Sequence, residues 1–109
     1  MALDPSQIAA AMLKAAKHSL ASDWPKARAY TEQEFKRLAQ SLADIGTLVA
    51  AGTVNEQQAR ALVQIHKNTT LTVMLTIEGL GIIAVENAIN AALAAVTTAV
   101  NKAVGLTVL

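Results

Sequence analysis

The chain has 109 residues, of which 53% are hydrophobic and 3% aromatic; none is cysteine, and the net charge is +1 at neutral pH. The missing cysteines exclude disulfides, thiolate metal sites and cysteine nucleophiles, and the weak charge with few stacking aromatics argues against nucleic-acid binding. The length fits a single domain, residues 1–109. Because alanine supplies much of the apolar mass, we predict an all-α fold.

Charge is distributed unevenly along the chain. Residues 1–67 carry eight basic and six acidic side chains, whereas residues 68–109 carry one basic and two acidic side chains. The apolar side chains of a segment with so few charges need to be buried. They could be buried against the chain's own first half, against further copies of the chain, or in lipid.

The first predicted element is an amphipathic helix over residues 4–21. Asp4 is a suitable N-cap acceptor, and Pro5 suits the first helical position. Apolar side chains then recur at helical spacing, at Ile8, Met12, Ala16 and Leu20. A small basic face lies off this stripe, at Lys14, Lys17 and His18. Such a face is usually solvated, and the alternative is contact with a membrane surface or a partner.

The second predicted helix covers residues 25–51 and begins either near Pro25 or at Thr31. Thr31 and Glu34 have the spacing of a possible capping box, which would mark the later start. The residues that follow alternate at steps of three and four, as in a coiled-coil seam. This seam comprises Phe35, Leu38, Leu42, Ile45 and Val49.

Gly52-Thr53 predicts a tight turn, because glycine suits the left-handed position after a helix and Thr53 with Glu56 forms another capping box. The flanking helices should therefore run antiparallel as a hairpin. The third predicted helix, 54–104, would be about 75 Å long if continuous. Gly79 and Gly81 are its weak points and predict a kink or a close helix contact. Its apolar stripe comprises Ile82, Val85, Ile89, Leu93, Val96 and Val100.

Residues 70–77 are ambiguous between helix and strand. Leu71, Val73, Leu75 and Ile77 alternate with Met74 and threonines, as in a half-buried strand. We predict helix here because strongly helical sequence lies on both sides.

Glu78 is the candidate buried charge. On a continuous helix its neighbours at three and four residues would be Met74, Leu75, Gly81 and Ile82, so its carboxylate would need a partner. One interpretation pairs Glu78 with a cation or polar group of another helix, or places it at a solvated seam. The other makes it a metal ligand or a proton-linked group.

Catalytic and metal sites are not predicted, and no cofactor is expected. His18 and His66 are the only histidines, and neither follows a glutamate at the Glu-x-x-His spacing of helical carboxylate metal sites. Phosphate-binding glycine motifs and the Gly-x-Ser-x-Gly elbow do not occur.

The predicted architecture is a short N-terminal helix, a middle helix and one very long or glycine-kinked C-terminal helix, assembled into an oligomeric bundle. We expect a homodimer or higher even oligomer with a structural, scaffolding or protein-interaction role and no catalysis. Its core would comprise Phe35, Leu38, Leu42, Ile45, Val49, Ile82, Val85, Ile89, Leu93 and Val96. No signal peptide is apparent, so a cytoplasmic location is expected.

Two other functions stay open at this point. The first is a membrane-active helical protein, holin-like or pore-forming, although Glu78 and several asparagines interrupt the apolar windows. The second is a metal or small-ligand site built around Glu78 at a subunit interface.

Overall fold

The structure, a computed structural model, describes residues 3–109, and this range contains helices and turns but no strand. The α-helices are α1 (Pro5–Leu20), α2 (Trp24–Ala50), α3 (Glu56–Met74) and α4 (Ile82–Val104). A short 3-10 helix, Ala21–Asp23, joins α1 to α2. The prediction of an all-α fold is confirmed. Residues 70–77 are helical as far as Met74 and then form a turn.

Side-chain caps define the starts of α1 and α3. The Asp4 carboxylate accepts a hydrogen bond from the Ser6 backbone N–H at 3.0 Å, and Pro5 follows as the first helical residue. Asn55 and Gln58 form a reciprocal capping box at the start of α3, with hydrogen bonds of 2.8 and 2.9 Å. This box replaces the predicted Thr53–Glu56 box, so the turn after α2 is longer than expected.

The helix α2 begins at Trp24, so Thr31 and Glu34 lie inside it and do not cap its start. Both side chains are buried, and the Thr31 hydroxyl donates to the Ala27 carbonyl at 2.8 Å. Of the two starts that the sequence left open, the helix uses the one near Pro25, because the spacing of Thr31 and Glu34 also places two side chains on the inward face of a helix.

The prediction of one very long C-terminal helix, 54–104, was wrong. It is divided into α3 and α4, and α4 has 23 residues. Gly79 adopts a φ of 81°, a conformation that ends a helix and that glycine adopts without steric cost. Ile77 and Leu80 in the connection are buried, so the turn itself contributes to the core. The whole molecule is 42 Å along its longest axis, too short for a single rod of residues 54–104.

The helices are antiparallel to their neighbours along the chain. The start of α2 lies against the end of the α3–α4 connection, where the Lys26 ammonium donates to the Gly79 carbonyl at 3.0 Å. At the other end of the molecule, the backbone of Gly46 lies beside Leu3 and Val104. Helices α1 to α4 pack together. Helix α1 packs against both α2 and α4, and α2 packs against α3. Helices α3 and α4 make few contacts with each other.

The core is continuous and lies within one chain. The apolar faces of α1 and α2 cover the inward face of α4, whose members are fully or almost fully buried. On α4 these residues are Val85, Ala88, Ile89, Ala92, Leu93, Val96 and Val100. The first half of the chain therefore covers the inward face of α4, which is one of the three covers that the sequence left open.

Candidate functional site

The predicted oligomer-core residues lie, with one exception, in the core of the single chain. Val49 is partly buried, and Ile82 is exposed to 53% of its surface. The others are buried within the subunit: Phe35, Leu38, Leu42, Ile45, Val85, Ile89, Leu93 and Val96. Side chains already buried within one chain are not available for contact with another chain.

Glu78 is not a buried charge. It lies exposed in the connection between α3 and α4, because α3 ends four residues before it. The expectation that its carboxylate needs a partner was wrong, since that expectation assumed a continuous helix through residue 78. A metal or ligand site built around a buried Glu78 loses its basis.

The buried carboxylate is that of Glu34. Its side chain is 3% exposed and meets the Arg37 guanidinium in two contacts, of 3.1 and 3.3 Å. The burial of Glu34 was indicated in the sequence by its position, because Thr31, Glu34 and Leu38 have the spacing of the inward face of a helix. This ion pair lies on a single helix and satisfies the carboxylate, so it is a structural feature of α2.

Metal-ligating side chains do not converge anywhere in the described part of the chain, residues 3–109. His18 is exposed on α1, and His66 is half-buried on α3. A metal centre therefore has no candidate ligand set among these residues.

Large apolar side chains are exposed around the α3–α4 connection. Leu75 is 39% exposed, Ile82 53% and Ile83 71%, and we call these three residues the α3–α4 tip. Buried Ile77 and Leu80 hold the connection against the core between them. Exposed apolar side chains therefore flank the connection on both sides, and the exposed Glu78 lies between them.

The outward face of α4 is also uncharged over most of its length. Between Glu86 and Lys102 every residue is uncharged, and the exposed ones are alanines, asparagines and a threonine. We call the exposed residues Asn87, Asn90, Ala94 and Thr98 the α4 outer face. Short side chains of this kind allow close approach of another helix with little loss of rotamer entropy.

One helix of the described chain, α4, is long and apolar enough to cross a membrane, with a mean hydropathy of 1.5 in its most apolar window. A third of that window is buried inside the subunit. A buried core helix has the same length and composition as a spanning helix, so this property does not by itself distinguish the two.

No family model, no curated protein and no solved structure matches this chain.

Proposed function

We propose that this protein is a structural module that associates with copies of itself through the α3–α4 tip and the α4 outer face. The product of this association is a larger helical assembly that presents an interaction surface, and no reaction is involved. The observation that carries the proposal is the exposure of Ile82 and Ile83 on the same helix as an outer face that is uncharged from Asn87 to Thr98, with Glu86 as the one charged residue between them.

The exposed isoleucines supply a driving force for association. Burying an aliphatic side chain of this size contributes about 1.5–3 kcal/mol, before the cost of association is subtracted. Isolated exposed hydrophobic residues are ordinary, but Leu75, Ile82 and Ile83 flank one short connection.

The α4 outer face supports the same proposal because it can be covered at little electrostatic cost. Its asparagine and threonine side chains can hydrogen-bond across a contact, and Ala94 leaves room for a neighbouring backbone. A two-fold contact uses the same face on both copies, so we expect an even number of subunits.

The experiment is the mass of the protein in plain buffer, measured by light scattering after gel filtration. One chain has a mass of 11.4 kDa, and we expect a multiple of that value for the wild type. Ile83→Lys should shift the mass toward a single chain, because a lysine there must be desolvated in the contact.

The control is Tyr30→Lys, which also places a lysine at an exposed position but lies on α2, among charged neighbours; Tyr30 is 48% exposed and Ile83 is 71% exposed. This variant should keep the wild-type mass. A wild-type mass of 11.4 kDa at high protein concentration would contradict the proposal.

A second candidate function, membrane activity, is favoured by the length and hydropathy of α4. Insertion requires α4 to leave the core, where its inward face packs against α1 and α2. Flotation with liposomes tests this function. Ala94→Asp should abolish flotation, because a charge at the centre of a spanning helix costs about 3 kcal/mol. Ala29→Asp, on the exposed side of α2, should not, and a wild type that stays unbound would exclude this function.

A further inference from the structure

An open groove of about 1090 Å³ runs between the second half of α1, the start of α2 and the middle of α4. Its floor is formed by alanines of two helices, Ala11 and Ala15 of α1 and Ala91 and Ala95 of α4. The wide floor exists because these short side chains leave space above the contact between α1 and α4. The full lining is Ala11, Lys14, Ala15, Lys17, His18, Ala21, Ser22, Trp24, Pro25, Ala91 and Ala95.

The groove combines an apolar floor with a basic edge. Lys14, Lys17 and His18 line it, and no acidic residue does. Among residues 3–109 none of these three side chains forms an ion pair; the described ion pairs all lie on α2 or at its start. The electrostatic complement of this edge is an anion.

The helix dipole of α1 explains why basic side chains are placed in its last turn, but it does not explain Lys14. Cations in a last helical turn are favourable, and Lys17 and His18 occupy that turn. Lys14 lies one turn earlier, where the dipole has little effect, and yet it lines the same groove.

The size of the groove favours a small molecule over a protein partner. Eleven residues line it, whereas a stable protein interface involves about 20–30 residues on each side. Along α1 the lining extends from Ala11 to His18, about 10 Å at helical rise, and it continues beyond the end of α1 through Ala21 and Ser22 to Trp24 and Pro25. An elongated apolar chain with one anionic end fits this shape.

We propose that the groove binds a free medium-chain fatty acid of about twelve carbons. The carboxylate lies at Lys14, Lys17 and His18, and the acyl chain lies along the alanine floor toward the indole of Trp24. This inference does not rest on self-association, since the groove is on the α1 side of α4 and shares no residue with the α3–α4 tip.

The test is a titration with dodecanoate below its micelle-forming concentration, followed by calorimetry and by the fluorescence of Trp24, the only tryptophan in the chain. Saturable binding with a change in Trp24 emission is expected. Lys14→Gln combined with Lys17→Gln should weaken binding about tenfold or more, because charge-assisted hydrogen bonds to the carboxylate are lost.

Two further variants separate the groove from general effects. Ala95→Phe occupies the floor at an exposed position that tolerates a larger side chain, and it should also weaken binding about tenfold or more. Lys102→Gln removes an exposed cation of α4 outside the groove and should leave the affinity unchanged. Circular dichroism of each variant establishes that it is folded.

Two ligand controls complete the test. Butyrate, with the same head group and almost no chain, should not bind, and dodecyl maltoside, with the same chain and no charge, should bind more weakly. Equal affinity for dodecanoate and dodecyl maltoside would overturn the proposal, and so would equal affinity of the Lys14/Lys17 variant and the wild type. Binding to anionic phosphatidylglycerol vesicles but not to dodecanoate would assign the groove to a membrane surface instead.

The two proposals can fail separately. Ile83→Lys changes the α3–α4 tip alone, so it should bind dodecanoate with wild-type affinity whatever its mass.

Discussion

At the scale of single residues, the ion pair between Glu34 and Arg37 is the clearest energetic feature. Glu34 is 3% exposed, and the Arg37 guanidinium contacts both of its carboxylate oxygens while its own side chain is 54% exposed. A charged group in this position is tolerated because the arginine reaches in from solvent to satisfy it.

We expect Arg37→Ala to lower the free energy of unfolding by about 1–3 kcal/mol, since it leaves the Glu34 carboxylate buried without its partner. Urea unfolding measures the change. Lys36→Ala, an exposed neighbour on the same helix, is the control and should have an effect within about 0.5 kcal/mol. If Arg37→Ala matched this control, the carboxylate would be solvated in the folded protein.

Sequence reasoning placed the buried carboxylate at Glu78 and missed Glu34. Both errors have one cause, which is that a carboxylate's burial depends on where its helix begins and ends. Thr31 and Glu34 resemble a cap when α2 is taken to start at Thr31, and they become core residues when it starts at Trp24. Glu78 becomes exposed when α3 ends at Met74.

At the scale of elements, the connection between α3 and α4 decides the fold. Gly79 has a φ of 81° and Gly81 a φ of −77°, so two glycines two residues apart have different roles. Gly79 allows the turn, and Gly81 is the N-cap of α4, a position that glycine occupies without a side-chain hydrogen bond.

The same substitution at these two glycines should therefore have opposite effects. Gly79→Ser should lower the free energy of unfolding by about 1 kcal/mol, because a side chain is strained in the left-handed region. Gly81→Ser should be neutral or slightly stabilising, because serine is a preferred N-cap residue. Thermal unfolding of the pair measures the difference, and a stabilising Gly79→Ser would show that the turn adopts another conformation.

The contact between α1 and α4 depends on small side chains. Ala16 of α1 and Ala88 and Ala92 of α4 are fully buried, and alanine allows the two helices to approach closely. Ala92→Leu should destabilise the fold by about 1–3 kcal/mol through overpacking.

Ala99→Leu is the control for this prediction, because Ala99 is exposed on the same helix. Alanine and leucine differ little in helix propensity, so the exchange itself should have little effect at an exposed position. Its effect on urea unfolding should stay within about 0.5 kcal/mol. Similar losses for both variants would indicate that the inward face of α4 is not as tightly packed as described.

At the scale of the whole molecule, residues 1–67 carry most of the charged side chains, and residues 68–109 carry few. The three charged residues of the segment 68–109, Glu78, Glu86 and Lys102, are all exposed, and the rest of its surface is uncharged. Folding thus covers the inward face of α4 but leaves an uncharged exterior on which the proposed assembly depends.

If this exterior is buried in an assembly, stability depends on protein concentration. We expect the Tm of the wild type to rise with concentration, since association stabilises the folded state by mass action. Ile83→Lys should remove most of this dependence. A concentration-independent Tm for the wild type would indicate that the single chain is the stable unit.

The sequence by itself determined the all-α fold, the capped start of α1, the turn after α2 and the apolar stripe of α4. These features depend on local preferences and on periodicity within one helix, so neighbouring residues suffice to predict them. The tertiary structure decided the division of the predicted long helix, the burial of Glu34 over Glu78 and the cover of α4 by α1 and α2. Local propensity favours helix on both sides of residue 78, but a continuous rod could not fold back, and only the reversal at Gly79 allows α4 to bury its stripe against the first half of the chain.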